Sequence, residues 1–243
     1  MSDKTSRPDP SLRLYGRRKG KRLRSGRKAL IDNALSSLQI DLDSCVEPIT
    51  CENLFQHGVD ALWLEIGFGS GEHIAAQALA HPNIGFIGAE VFENGIASLL
   101  QHCEQKNLSN IRIFNDDVRA LIPALERGVL ERVFLLYPDP WPKTRHAKRR
   151  FICTESLSKL ARVMSPGAEL RIATDHPIYA RWCLLHGPIH PYFDWKVSSP
   201  DDWRQRPSDS IATRYEKKAL REGRIPFYLT LTRSASRKGK NLA

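Results

Sequence analysis

Asp139, Trp141 and Lys143 alternate with three prolines in Pro138-Asp139-Pro140-Trp141-Pro142-Lys143, which gathers a carboxylate, an indole and an ammonium within six residues. The prolines hold the chain extended and deny it a helix. The cluster Arg145, His146, Lys148, Arg149 and Arg150 follows at once. A planar substrate carrying a phosphate backbone would suit this group. Trp141 can stack on such a ring, worth about 1–3 kcal/mol per base, or it can simply pack beneath the turn. Ahead of the turn, residues 133–137 are continuously apolar, the pattern of a strand buried on both faces. The turn therefore stands at a strand's carboxyl end, where open α/β sheets bind ligands.

A second group starts at Leu64-Glu65-Ile66-Gly67-Phe68-Gly69-Ser70-Gly71-Glu72. Gly67, Gly69 and Gly71 permit a tight turn and let a ligand approach backbone N–H groups at a helix start. A dinucleotide fingerprint requires glycine where Glu72 stands, and a pyrophosphate would be repelled by Glu65 and Glu72. Acids around a G-x-G-x-G turn suit a cationic ligand instead. S-adenosyl-L-methionine has a sulfonium, an ammonium and no phosphate. Glu90, about 20 residues on, is placed to accept both ribose hydroxyls. Asp117, in Asn115-Asp116-Asp117, can reach an adenine amino group or cap a helix.

These residues need a scaffold that brings strand ends together. Apolar runs predict strands over 61–66, 84–89, 110–114, 132–137, 168–173, 193–197 and 227–231. Helical patterns fall between them, over 72–80, 95–105, 118–126, 148–164, 177–186 and 214–222. This alternation predicts an α/β, Rossmann-like fold with a seven-stranded, mostly parallel sheet, an antiparallel edge strand and flanking helices. Residues 194–207 read as a surface loop or insertion. Thr213-Arg214-Tyr215-Glu216 has the form of a capping box at a helix start. Asp175, before His176-Pro177, reads as a base-binding acid or a cap.

The chain of 243 residues carries a net charge of +10, and residues 1–28 hold eleven Lys/Arg against Asp3 and Asp9. That segment is predicted to be a flexible basic arm, and residues 29–243 a single domain. A basic arm serves solubility or captures a polyanion; the second basic cluster favours nucleic acid. No apolar run approaches the roughly 20 residues of a membrane span. The charged N-terminus lacks the apolar stretch of a secretion signal. Five scattered cysteines without a CxxC pair fit a reducing cytoplasm. No metal site is expected, since Pro188 breaks the helix that would align His186 with His190.

Residues 62–231 resemble the bacterial tRNA (guanine-N7-)-methyltransferase family, through the motifs at 64–71, 134–150, 171–175 and 213–216. The resemblance implies a class I methyltransferase fold and methyl transfer from S-adenosyl-L-methionine to guanine N7 at position 46 in the tRNA variable loop. The product would be S-adenosyl-L-homocysteine, and the expected assembly is a monomer or homodimer. It further implies that Glu65, Glu90, Asp117 and Asp139 surround the cofactor and that Asp139 is catalytic. Lys143, Asp175, Thr213, Arg214, Tyr215 and Glu216 would bind substrate, and residues 145–150 would face RNA. An RNA-binding module without catalysis, or an NAD-dependent oxidoreductase, accounts less well for acids at successive strand tips.

Overall fold

The apolar run Ala61–Ile66 forms strand β1, buried along its whole length, and the other strands assemble around it. The computed structural model describes residue 16 and residues 18–236; residues 1–15 and 17 of the predicted basic arm lie outside the described residues. To one side of β1 stand β2 (Ile84–Ala89) and β3 (Ile111–Phe114), to the other β4 (Leu130–Leu136) and β5 (Met164–Thr174), all parallel. Two antiparallel pairings finish the sheet: β6 (Phe193–Asp194) lies against β7 (Phe227–Arg233), which itself lies against β5. The strand order is β3-β2-β1-β4-β5-β7-β6, so the sheet grows one way from β1 to β3 and the other way from β4 onward. That switch point is where doubly wound sheets open a crevice.

Alternation along β1 sorts its side chains between two cores. Leu62, Leu64 and Ile66 point to one face, where they meet α5 (Val118–Ala124), α6 (Thr154–Val163) and α7 (Pro177–His186). Trp63 points to the other, under α1 (Ser25–Leu38), α3 (Glu72–Ala80) and α4 (Glu93–Lys106). Fully burying a side chain such as Leu64 contributes about 1.5–3 kcal/mol, and both faces of the central strands gain in this way. Three short helices, α2 (Cys51–Leu54), α8 (Asp201–Arg204) and α9 (Arg214–Arg221), complete the fold.

Several boundaries differ from the sequence reading. The helix expected over 148–164 begins only at Thr154, because residues 144–149 wind as a 3-10 turn and Arg150 and Cys153 are extended. The helix expected over 118–126 stops at Ala124, where Leu125 leaves to bridge Ile49. The strand expected over 193–197 shrinks to two residues, since only Phe193 and Asp194 find partners on β7. Helix α1 has no counterpart in the sequence reading, and its first turn takes Ser25–Lys28 from the arm. Leu30, Ile31, Ala34, Leu35 and Leu38 form its packed stripe, a helical spacing that the dense charge nearby obscures. Within 194–207, the expected loop, α8 folds as a single turn.

Candidate active site

Each strand in the parallel part of the sheet ends at the same edge, and the tips of β1 to β4 each deliver one chemically active residue. β1 runs into Gly67, whose N–H bonds the Ala89 carbonyl at 2.7 Å. Gly67, Gly69 and Gly71 all hold left-handed backbone, with φ of 69°, 58° and 76°, which is why a side chain is excluded from this turn. At the β2 tip the Glu90 carboxylate accepts N–H groups from Gly69 at 2.8 Å, Val91 at 2.8 Å and Phe92 at 3.0 Å. Burial raises the Glu90 carboxyl above its ordinary range, the three N–H groups oppose that shift, and Asp139 adds to it. At the β3 tip Asp117 caps α5 through the Arg119 N–H at 3.0 Å and pairs with the Arg119 guanidinium at 2.5 Å.

The β4 tip is the Pro-Asp-Pro turn. Tyr137 and Trp141, on either side of it, have φ of 52° and 42°. For bulky residues such left-handed backbone costs on the order of 1–3 kcal/mol each and persists at sites where the surroundings impose it. Asp139 lies exposed between them. The Arg149 guanidinium stacks 4.7 Å from the Trp141 ring centre, and His146 meets the same ring edge-on at 5.8 Å. Trp141 is therefore held by its own basic neighbours while it lines the cleft.

Gly67, Glu90, Asp117, Asp139 and Trp141 line one cavity of about 640 Å³. A second lobe of about 420 Å³ shares Gly67, Glu90 and Asp139 and adds Gly69, Tyr137 and Tyr215. The chain that leaves the Pro-Asp-Pro turn carries Lys143, Arg145 and Lys148, all exposed. Burial, then the charges of Arg149, Arg145 and Lys143, lowers the His146 pKa. The described part of the arm reaches this mouth: Arg18 pairs with Asp116 at 2.9 Å, Gly20 N–H donates to the side-chain Oδ1 of Asn94 at 3.0 Å, and Gly16 lines the cavity.

Other predicted residues stand elsewhere. Glu65 is 3% exposed, lines neither lobe, and bonds His73 Nδ1 at 2.7 Å. It shares the Trp63 face of β1, so strand alternation aims it at α3 rather than at the cleft. Gly71 meets Leu99 instead of the cavity. Arg150, expected to face RNA, is instead 6% exposed at the cavity wall and turned inward onto the Pro140 and Trp141 carbonyls. Asp175 pairs with Arg224 at 2.6 Å and does not cap α7.

The segment 213–216 divides its labour. Thr213 accepts the Glu216 N–H at 3.2 Å, but the Glu216 carboxylate turns away to Arg206 at 2.9 Å, so the expected capping box closes on one side only. Glu216 is 4% exposed, which removes it from the surface a substrate would meet. Arg214 N–H bonds Glu72 Oε1 at 3.0 Å, and Tyr215 reaches the cleft beside Gly69. Sequence reasoning missed Arg119, Phe151, Ser156 and Lys159, which also line the cavity; only Arg119, two positions after a capping Asp, left a readable trace.

A parallel sheet whose order switches between β1 and β4, a glycine turn and acidic strand tips define the class I methyltransferase fold. The family described as "Putative methyltransferase" matches residues 60–229. A tRNA (guanine-N(7)-)-methyltransferase of Rhodospirillum rubrum is 48% identical over 93% of this chain and 90% of its own length. That of Paramagnetospirillum magneticum is 49% identical over 92% and 93%. The chain belongs to the tRNA (guanine-N(7)-)-methyltransferase family. Among solved structures, a 16S rRNA (adenine(1408)-N(1))-methyltransferase from Catenulisporales acidiphilia superposes with a TM-score of 0.51 at 18% identity, over 76% of this chain and 91% of that one. This last likeness concerns the fold alone. Among the described residues, no group of three or more His, Cys, Asp or Glu could hold a metal ion, and no helix is long and apolar enough to cross a membrane.

Proposed function

We propose that this chain methylates N7 of guanine 46 in the variable loop of tRNA, drawing the methyl group from S-adenosyl-L-methionine. The observation that carries the reading is Asp139, exposed on a strained turn between the Gly67–Glu90 cavity and a run of exposed lysine and arginine.

The cavity fits such a cofactor. A Cβ on Gly67 would meet nothing within 4 Å, so the backbone there faces open space. Glu90 would accept the ribose hydroxyls, Asp117 an adenine amino group, and Gly67 and Gly69 would leave room for the amino-acid end. When bound, the cofactor supplies a methyl group on a positively charged sulfur. Guanine N7 has an in-plane lone pair and no proton, so no residue is required as a base at that atom. Direct transfer to N7 would break the sulfur–methyl bond with its electron pair kept by sulfur, so the products would be S-adenosyl-L-homocysteine and a cationic purine.

Asp139 accepts hydrogen bonds from the N–H edge of the base, fixes its plane and stabilises the charge growing on it. A preorganised group of this kind contributes on the order of 3 kcal/mol. Positioning two reactants contributes roughly 7–11 kcal/mol, the larger effect. Trp141 and Tyr215 bound the space that would receive the base, and Lys143, Arg145 and Lys148 meet phosphates. The partner is tRNA, and the compartment is the cytoplasm.

The test is transfer of label from S-adenosyl-L-methionine to an unmodified tRNA transcript, with Asp139→Asn and a transcript bearing adenine at position 46 as controls. Label recovered as 7-methylguanine in wild type and lost in both controls supports the reading. Label persisting on the altered transcript would move the target to another guanine, and binding of cofactor without any transfer would sink the assignment.

A further inference from the structure

Arg150 sits where a cation is least expected. It ends the run Lys148-Arg149-Arg150, yet it is 6% exposed while Lys148 beside it is exposed. Its hydrogen bonds go to main-chain carbonyls: Nε to Pro140 at 3.1 Å and to Trp141 at 3.3 Å, and Nη2 to Trp141 at 2.8 Å. The flat guanidinium lies 4.5 Å from the Trp182 ring centre. Trp182 is fixed in turn by its indole N–H to the Ile152 carbonyl at 2.6 Å.

Burying a guanidinium against carbonyls and a ring is a poor way to gain stability, because an apolar residue would fill the space without the desolvation cost. The placement makes sense through what the fork holds. Trp141 has a φ of 42°, a conformation that an indole-bearing residue does not adopt unless its surroundings impose it. The Trp141 carbonyl receives two of the three bonds, and the Pro140 carbonyl the third. Those two peptides follow directly on Asp139. A planar fork holds both carbonyls with fixed donor directions, whereas a lysine ammonium is a point charge on a flexible stem and sets their orientation less rigidly.

We propose that Arg150 is a positioning residue for methyl transfer: its buried fork clamps the Pro140–Trp141 backbone and thereby aims the Asp139 carboxylate and the Trp141 indole into the cleft. Arg150 also lines the wall of the cavity, but its guanidinium is committed to the two carbonyls, so it acts through the turn. The inference rests on the proposed reaction for its kinetic consequence, while its structural half is open to a measurement without RNA.

Two variants test it, Arg150→Lys and Arg150→Gln, each compared with wild type at saturating S-adenosyl-L-methionine and tRNA. The expected result is a kcat lower by about 100-fold, the scale of loss for misplaced reacting groups. KM for tRNA, cofactor affinity and the salt dependence of tRNA binding stay unchanged. In protein labelled with 5-fluorotryptophan and free of RNA, the fluorine resonance of Trp141, assigned with Trp141→Phe, moves in both variants, while that of Trp63 does not. An unchanged kcat overturns the proposal. So does a raised KM with a salt slope lower by about one, which would place a phosphate on Arg150. An unmoved Trp141 resonance also overturns it. If wild type itself transfers no methyl group to tRNA, the proposed reaction fails, and the fluorine resonance still decides whether Arg150 clamps the turn.

Discussion

Gly95, in the first turn of α4, stands so close to Gly69 that a Cβ on it would lie 2.1 Å from the Gly69 carbonyl oxygen. The helix that follows β2 is thus pressed against the glycine turn that follows β1, and Glu90 bonds the Gly69 N–H. Residues from α4 and from the β2 tip together fix one turn, and that turn borders the cavity. Gly95→Ala must displace backbone, and overpacking of this kind costs about 1–3 kcal/mol. The expected outcome is loss of stability in urea together with cofactor affinity reduced by about tenfold for each 1.4 kcal/mol of displacement carried into the turn. Gly26→Ala, on α1 with nothing within 4 Å of its Cβ, is the control and leaves affinity unchanged.

Glu90 predicts how cofactor binding depends on pH. Burial raises its pKa in the free protein, so protonation begins above the ordinary glutamate value of about 4.3. The protonated form cannot accept both ribose hydroxyls in the same way, so affinity falls as pH drops through the raised pKa. The same shift has the opposite sign for folding: the folded state binds this proton more readily than the unfolded chain, so Glu90 penalises stability at high pH and the penalty is relieved on acidification. Calorimetric titration of S-adenosyl-L-methionine across pH should show the decline in wild type, and Glu90→Gln should bind weakly with that component gone. A profile identical in both proteins would rule Glu90 out as the titrating group.

Lys143, Arg145 and Lys148 are exposed beyond the Pro-Asp-Pro turn, while Arg150 is buried. Replacing the three exposed cations by Ala should lower the slope of log affinity for tRNA against log salt by about 0.7–0.9 for each phosphate that is no longer neutralised. Folding should be unaffected, because all three side chains are exposed. Filter binding at several salt concentrations measures it, and a slope equal to that of wild type would place the RNA elsewhere.

Glu65 and His73, 3% and 1% exposed, form a buried pair at 2.7 Å, and His73 Nε2 continues to Ser210 Oγ at 3.2 Å. Removing one partner leaves the other buried and unsatisfied, which costs about 1–3 kcal/mol and more for a charged group, whereas replacing both by apolar residues can be near neutral. His73→Leu should therefore destabilise the protein more than Glu65→Leu/His73→Leu does, measured by denaturant unfolding. Equal destabilisation in the two proteins would mean that the pair is not coupled.

Much of this protein is legible along the chain because strands buried on both faces must be continuously apolar, so 61–66 and 84–89 declare themselves. The turns that follow are equally plain: glycines where backbone must go left-handed, prolines where a helix must not form. Since the switch in strand order puts the tips of β1, β2 and β4 at one crevice, Gly67, Glu90 and Asp139 follow from local pattern plus topology.

The orientation of each side chain was decided only in three dimensions. Glu65 belongs to the same motif as Gly67, but the period-two alternation of β1, set by which residues face α3, turns it to His73. Arg150 belongs to the same basic run as Lys148, but the fold brings Trp182 and two carbonyls around it. Glu216 fits a local cap, yet Arg206 draws its carboxylate away. Sequence spacing records which residues are neighbours on the chain; whether a charge meets solvent, ligand or another buried group depends on packing between segments far apart in sequence, and that is a property of the tertiary structure alone.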